Sequence, residues 1–482
     1  MSSNKFLFIN GVFWTGVQAV VSRSVGFVIK IILAKLLFPE EFGLVGMATV
    51  VISFLAVLSD LGFNSALIQF KSEKLNDIHF HTAFWAGLGW ASGLYVLLVA
   101  FGGPLAAEFY DRPILKQLVP VLGLGLLANA LLMVQKARLA RSFEFKKIAV
   151  IENISSITAG ILSLALAFAG FGVWALVFNS LVTILVAVPM YFWSTAWIPR
   201  FNWDWSAFRS IFGFGAYTTG TSFVNYFIGN GDFLVIGKLL GASALGVYSV
   251  AFLLTDTFRG QLMSVTNSVL YPLYGKEQDN AETLKRYYLK VIEYNSLVVY
   301  PMMLFLLLFG ESFVLTVLGE KWIDAIEPMR ILALAIMFHM MVNSNTVLIR
   351  GLGRPGLEFK LQLLKAIVFI PSVLLGTHIN GVIGCAWAVV INKVFAVLLA
   401  QYTFNKFLTI KISTREFFGA LKVPVAGTAV SAFVAVLSLM AGGGMIIGGA
   451  LLAIVYCFVV GVWLKDELWG HYNSYRHRLH NS

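Results

Sequence analysis

FINGVFWTGVQAVVSRSVGFVIKIILAKLL, residues 8–37, decides the fold class. About 20 predominantly apolar residues suffice to cross a bilayer, and this run is longer, yet it carries Arg23 near its middle and Lys30 further on. A cation at the centre of a bilayer helix costs about 2.5–3.5 kcal/mol on insertion scales, so such residues usually face a polar interior rather than lipid. Gly16, Arg23 and Lys30 are spaced by sevens, which keeps them on one helical face. That face reads as the wall of a wet, cationic cavity for something anionic. The run is long and interrupted by Arg23, unlike the short apolar region and small-residue cleavage site of a signal peptide, and is expected to remain as a span.

The rest of the chain has the same character. Hydrophobic residues make up 59% of the 482 residues and charged residues 12%, with a mean hydropathy of +0.82. That composition excludes a water-soluble globule and indicates an all-α polytopic membrane protein. Cys385 and Cys457 both sit in apolar runs, so neither a disulfide framework nor a metal site is expected.

Apolar runs of spanning length recur about fourteen times. The first eight cover residues 8–37, 42–66, 80–103, 114–136, 148–169, 172–196, 208–237 and 244–273; the other six lie near 288–310, 326–349, 358–376, 382–404, 417–440 and 444–464. An even count puts both termini on one side. Most of the 35 Lys and Arg residues fall in the termini and in the loops after even-numbered spans, which makes that side cytoplasmic. The net charge of +11 is thereby explained as topology, and a nucleic-acid partner loses its support. No loop is long enough to fold as a domain, so function is expected within the spans.

There is an internal echo. Ile31-Ile32-Leu33-Ala34-Lys35-Leu36-Leu37 followed by Phe42-Gly43 matches Leu234-Val235-Ile236-Gly237-Lys238-Leu239-Leu240 followed by Leu245-Gly246 at one constant offset. The seventh span thus stands where the first did, and six intervening spans give parallel repeats about an axis along the membrane normal. Glu144-Phe145-Lys146 and Glu358-Phe359-Lys360, after the fourth and tenth spans, form a second echo. The expected division is a six-helix lobe over 1–203, a second over 204–406, and an extra helix pair with a cytoplasmic tail over 407–482.

Several constellations carry candidate chemistry. Thr218, Ser222, Asn225, Gly229 and Asp232 form one continuous face of the seventh span, read as cavity lining against the alternative of small and polar residues packing helix on helix. In the eighth span Thr255, Arg259 and Thr266 share a face, with Asp256 one turn before Arg259. Asp256 and Arg259 either neutralise each other or leave Arg259 to bind a ligand phosphate. Glu293 and Lys393 are single ionisable groups in apolar spans, partners for the other lobe or proton or sodium sites. Asp60 ends the second span, either as a helix-end polar residue or as a functional one. Pro189, Pro301, Pro371 and Pro424 are candidate bends. The basic cluster Lys136–Lys147 suits anionic lipid, and His471, His477 and His480 lack metal-ligand spacing. Pro39-Glu40-Glu41 occupies the first outer loop, where membrane glycosyltransferases place an acidic pair, but Pro followed by Glu also suits a helix start.

These residues resemble a known family. The six-plus-six-plus-two spans, Pro39-Glu40-Glu41-Phe42-Gly43, Leu58-Ser59-Asp60-Leu61-Gly62, and Asn230-Gly231-Asp232 before Lys238-Leu239-Leu240-Gly241 are similar to the polysaccharide transporter family of the multidrug/oligosaccharidyl-lipid/polysaccharide superfamily, and most to its lipopolysaccharide and colanic-acid exporters. The resemblance implies a flippase in the bacterial inner membrane, not an enzyme and without a cofactor. It would carry undecaprenyl-diphosphate-linked oligosaccharide units to the periplasmic leaflet by alternating access, in a cavity lined by spans one, two, seven and eight. Related flippases use cavity arginines on spans one, two and eight. Arg23 and Arg259 meet that pattern, whereas span two lacks a cation and Lys30 is the candidate substitute. The expected substrate site is Arg23, Lys30 and Arg259 for the diphosphate, with Thr218, Ser222, Asn225 and Asp232 for the glycan. Membrane lipids and a polysaccharide polymerase with its chain-length machinery are the implied partners. The competing reading is a drug or cation antiporter of the same superfamily with Asp232, Asp256 or Glu293 as coupling carboxylate; a membrane glycosyltransferase is the third.

Overall fold

A computed structural model describes residues 2–59, 63, 67 and 76–465. Among them there is no strand, as a lipid environment requires of a chain that is not a closed barrel. The helices are α1 (Ser2–Leu36), α2 (Pro39–Ser59), α3 (Asp77–Leu97), α4 (Gly103–Phe109), α5 (Leu115–Arg141), α6 (Phe145–Phe168), α7 (Val173–Thr195) and α8 (Trp205–Lys276). They continue with α9 (Ala281–Phe313), α10 (Ile326–Met340), α11 (Asn345–Gly351), α12 (Pro355–Lys406), α13 (Thr414–Gly419), α14 (Lys422–Met440) and α15 (Met445–Trp463). Short π-helical turns follow α3 at Leu98–Gly102 and α9 at Val314–Leu318.

Eleven helical stretches among the described residues are long and apolar enough to cross a membrane. Three of these contain turns, one of them at residues 341–344 within Glu320–Gly351. α8 is broken at Gly241, whose φ of 85° lies where glycine alone is unstrained, and α12 is broken at Asn380 and Gly381. Both breaks fall where the sequence separates its seventh from its eighth span and its eleventh from its twelfth. Side chains such as Phe433, Ile446 and Phe458 are largely exposed, an exterior suited to lipid rather than water.

The helix starts follow local chemistry. α2 opens on Pro39, which needs no N–H partner there, and the Glu41 carboxylate accepts the Phe38 N–H at 2.8 Å. α8 opens after Asp204, which accepts the Ser206 hydroxyl at 2.6 Å and the Ala207 N–H at 2.8 Å. Those two bonds hold the Asp204 carboxyl below its usual range. α13 opens on a capping box between Ser413 and Glu416.

The chain forms two compact units. The first comprises Met1–Thr257 and Phe359–Ala388. Its core joins α3 and α5 through Phe80, Phe84, Val134 and Ala137, with Phe63, Leu67 and Trp197. A second cluster, Leu132, Leu139, Ile151, Ala187 and Tyr191, joins α5, α6 and α7. The connection between α7 and α8 is tied to α3: His81 stacks on Trp197 at 5.0 Å and accepts the Arg200 N–H at 3.0 Å, Thr82 accepts the Asp204 N–H at 3.1 Å, and Trp85 donates to the Arg200 carbonyl at 2.9 Å. Without a hydrophobic driving force between helices in lipid, such bonds and close packing carry the assembly.

The second unit comprises Phe258–Glu358 and Val389–Ser482. Leu304, Phe309, Ala435 and Leu452 join α9, α14 and α15, and the Tyr456 hydroxyl donates to the Leu297 carbonyl at 3.0 Å. Arg350 bonds Glu358, which is 3% exposed, across the loop between α11 and α12.

Candidate functional site

The register of α1 separates a packing face from a polar one. Ser22 donates to the Asn153 side chain of α6, and Ile29 fills the space at Gly160, where a Cβ would lie 1.8 Å from the Ile29 Cδ1 atom. Ser22 and Ile29 are two turns apart on that packing face. Arg23 and Lys30 follow them by one residue each, about 100° further round the helix. Lys30 is exposed, as that register requires, whereas Ile29 and Leu33 are buried. The side chains of Arg23 and Thr218 lie outside the described set, as do Asp60 and the tail histidines His471, His477 and His480.

The first arm of α8, residues 205–240, packs on α2 through aromatic rings. Phe54 meets Tyr226 at 5.5 Å and Phe223 at 5.8 Å, and the Tyr226 hydroxyl donates to the Val50 carbonyl at 2.8 Å. The polar face runs beside this contact: Ser222 and Gly229 are exposed and Asn225 is half-buried. Asp232 departs from the row. It is 4% exposed and accepts the Tyr248 hydroxyl at 2.6 Å from the second arm of α8, with Cys385 and Thr377 of α12 packed beside that pair. Sequence reasoning singled out Asp232 but missed Tyr248, Thr377 and Cys385. Their meeting depends on the turns at Gly241 and Gly381, which no helical periodicity reports.

Asp256 lies in the first unit, next to the end of its first segment at Thr257, and is half-buried. Arg259 and Lys393 are half-buried in the second unit. Glu293 has a partner on its own helix, Lys290 at 2.9 Å, and its side chain is 12% exposed. Its carboxylate is therefore a locally neutralised group.

One close backbone approach in the first unit joins the starts of two helices. A Cβ at Gly43 would lie 1.7 Å from the Ala242 carbonyl oxygen, and a Cβ at Gly246 would lie 1.7 Å from the Pro39 carbonyl oxygen. The contact is reciprocal and pairs the residues that the internal echo aligns. Around it Arg112 binds Glu40 at 3.0 Å and Lys238 reaches Asp111 at 3.6 Å. Glu40 and Glu41 thus have an ion pair and a helix cap to form. Next to this cluster α2, α3, α4 and the first arm of α8 line an apolar cleft of about 580 Å³ that includes Phe54, Leu97, Phe109 and Tyr226. Among the described residues no group of His, Cys, Asp and Glu is arranged to hold a metal ion.

Comparison with known proteins places this architecture. The profile of a family described as "Polysaccharide biosynthesis protein" matches residues 32–327. The chain is 26% identical over 405 residues to the lipopolysaccharide biosynthesis protein WzxC of Escherichia coli (strain K12), covering 83% of this chain and 81% of that protein. It is 26% identical over 401 residues to the succinoglycan biosynthesis transport protein ExoT of Rhizobium meliloti (strain 1021), covering 82% of this chain and 79% of that protein. Among solved structures it resembles the lipid II flippase MurJ in an inward closed conformation, with a TM-score of 0.75 at 14% identity over 95% of this chain and all of that one (100%). It also resembles an inward-facing multidrug resistance MATE family transporter, with a TM-score of 0.57 at 16% identity over 80% of this chain and 97% of that one.

Proposed function

Because the chain belongs to the polysaccharide biosynthesis protein family matched over residues 32–327, we propose that it is a flippase of undecaprenyl-diphosphate-linked oligosaccharide repeat units. It acts as a transporter and not as an enzyme, moving these units across the bacterial inner membrane for surface polysaccharide assembly. The observation that carries this reading is the similarity over about four-fifths of the chain to proteins named for lipopolysaccharide biosynthesis and succinoglycan transport.

In this reading Arg23 and Lys30 on the polar face of α1 attract the diphosphate, and Arg259 in the second unit adds a further cation. Thr218, Ser222 and Asn225 hydrogen-bond the glycan, with Asp232 at the inner end of their row. Asp256 and Glu293 are the candidates for coupling to an ion. Both termini lie in the cytoplasm, the helices form two parallel six-helix repeats with two further helices, and the delivered unit passes to a polymerase and its chain-length machinery.

The test is complementation of a deletion strain. Arg23→Ala and Lys30→Ala, at parental membrane abundance, are expected to lower surface polysaccharide about tenfold or more while lipid-linked repeat units accumulate on the cytoplasmic side. Export at the parental rate in both variants rejects the diphosphate assignment. A deletion strain with intact polysaccharide and reduced drug tolerance rejects the flippase in favour of an antiporter.

A further inference from the structure

The apolar cleft of about 580 Å³ in the first unit reaches the outer surface of the chain. Leu97, Leu105 and Phe109 line it and are themselves exposed. They continue into the exposed side chains of Val96 and Phe101, an outward face suited to lipid. None of the described lining residues is charged. The Tyr226 hydroxyl in the wall donates to the Val50 carbonyl at 2.8 Å. Water entering the cleft therefore finds few partners, whereas a hydrocarbon chain needs none.

The π-helical turn Leu98–Gly102 contributes Leu98 and Gly102 to the lining. Such turns interrupt regular helical bonding and recur at functional sites. A Cβ at Gly102 would lie 2.7 Å from the Leu98 Cδ1 atom, so glycine leaves Leu98 its place in the wall. The cleft also has a definite length. Tyr226 lines it, and Lys238 stands at its mouth with the ammonium 5.1 Å from the centre of the Phe109 ring. From Tyr226 to Lys238 the helix rises about 18 Å at 1.5 Å per residue. One leaflet's share of a hydrocarbon core is about 15 Å. The cleft is thus about as long as one acyl chain in one leaflet.

The mouth carries both signs of charge. An ammonium has three N–H donors, of which the Phe109 carbonyl takes one from Lys238 at 2.5 Å. Asp111, whose side chain is 87% exposed, stands 3.6 Å from that ammonium, longer than the 2.7–2.9 Å or so of a charge-assisted hydrogen bond. Its φ of 56° is a left-handed conformation that aspartate tolerates better than most residues. Glu108 is exposed next to Phe109, and Arg112 is engaged by Glu40 at 3.0 Å. A ligand with a single negative charge meets one lysine here and is repelled by Asp111. A ligand with a phosphate and an ammonium finds a partner for each.

We propose that this cleft binds one phospholipid with a primary-amine headgroup. An acyl chain lies along the cleft against Phe54, Leu98 and Phe227, the phosphate is held by Lys238, and the ammonium donates to the Asp111 carboxylate. A quaternary ammonium has no N–H to donate, so a choline headgroup loses the second contact. Bound there, the lipid bridges the end of α4 and the first arm of α8, whatever cargo the protein carries.

The experiment uses the purified full-length protein in detergent micelles. Phosphatidylethanolamine, phosphatidylcholine or phosphatidylglycerol with identical acyl chains is added, and single-lipid complexes are resolved by native mass spectrometry. Wild type is expected to bind its first phosphatidylethanolamine about tenfold more tightly than its first phosphatidylcholine. Lys238→Gln is expected to weaken the ethanolamine lipid by about the same factor. Asp111→Asn is expected to erase the preference over choline and to favour phosphatidylglycerol, because Lys238 then lacks its opposing carboxylate. Leu105→Trp, which narrows the cleft at an exposed position, is expected to weaken all three lipids alike. Equal first affinities for the ethanolamine and choline lipids in wild type overturn the proposal, as does an ethanolamine preference that survives both headgroup variants. Should Lys238→Gln fail to fold, Asp111→Asn decides: an unaltered order of the three lipids overturns the proposal. Complete displacement of phosphatidylethanolamine by an equimolar amount of polyprenyl phosphate assigns the cleft to a polyprenyl chain and overturns it too.

Discussion

Two helix starts meet in the first unit, Pro39–Gly43 and Ala242–Gly246, and they make the same contact with different chemistry. Each presents a glycine to the other's first backbone carbonyl. The first carries Glu40 and Glu41, which bind Arg112 and cap the chain at Phe38. The second has Ala242-Ser243-Ala244 in that place and takes its neighbouring charge from Lys238, which bonds the Phe109 carbonyl and pairs with Asp111. What the two share is the missing Cβ. The close approach of backbones is therefore the common requirement, and the acids are a local way of finishing one turn. That comparison removes the need for a catalytic carboxylate pair in the first loop.

The largest effect is expected from filling the shared gap. Gly43→Ala and Gly246→Ala each put a methyl group where a carbonyl oxygen would be 1.7 Å away, so the helix starts must separate. Overpacking of this kind costs about 1–3 kcal/mol. Each variant is expected to lose thermal stability by a similar amount and to lower surface polysaccharide in the complementation assay. Because the contact is reciprocal, the double variant is expected to cost less than the two singles added. Strict additivity would break the pairing of the two turns.

This contact shows how far the sequence could be read. The echo between residues 31–43 and 234–246 is visible in the chain, and so are the turns at Gly241 and near Gly381, because each separates two long apolar runs. That Gly43 and Gly246 touch is not visible: alignment of two segments says they are alike, not that they meet. The spacing by sevens puts Arg23 and Lys30 on one face of α1; Lys30 lies on the exposed side of that helix, and the Arg23 side chain is outside the described residues. The surroundings of Asp232 were not, because Tyr248 and Cys385 arrive through turns rather than through periodicity. The break at 341–344 was hidden by its apolar flanks, which read as one uninterrupted span.

A smaller effect is expected at the acids that distinguish the first turn. Glu40 and Arg112 are 53% and 42% exposed, and exposed ion pairs contribute about 0.2–1 kcal/mol. Glu40→Gln and Glu41→Gln, alone or together, are expected to leave polysaccharide export within about twofold of parental, a difference of about 0.4 kcal/mol. A loss approaching that of Gly43→Ala would mean that the acids act in the chemistry, and would reopen the enzyme reading.

The smallest effect takes the comparison to a third helix start, that of α13, where an acid has both a cap and a cation. Glu416 accepts the Ser413 N–H at 2.9 Å and meets Lys285 at 2.5 Å. The Lys285 contact, followed by the Ser413 bonds, holds its carboxyl at about 2, below the usual 4.5. A carboxyl lowered on folding stabilises the folded state above its unfolded value, and that contribution is lost as pH falls through the folded one. Glu416→Gln is therefore expected to lower the unfolding midpoint at pH 6 to 7, with the difference from wild type constant down to about pH 4.5 and shrinking from there towards about pH 2. The site is at the surface, so 1 M salt is expected to shrink the difference as well. Glu41, which caps the first turn without a cation within salt-bridge distance among the described residues, sharpens the contrast. Its Gln variant is expected to be far less sensitive to salt than Glu416→Gln, and equal sensitivity would show that the cap alone, rather than the added lysine, sets the response of both helix starts.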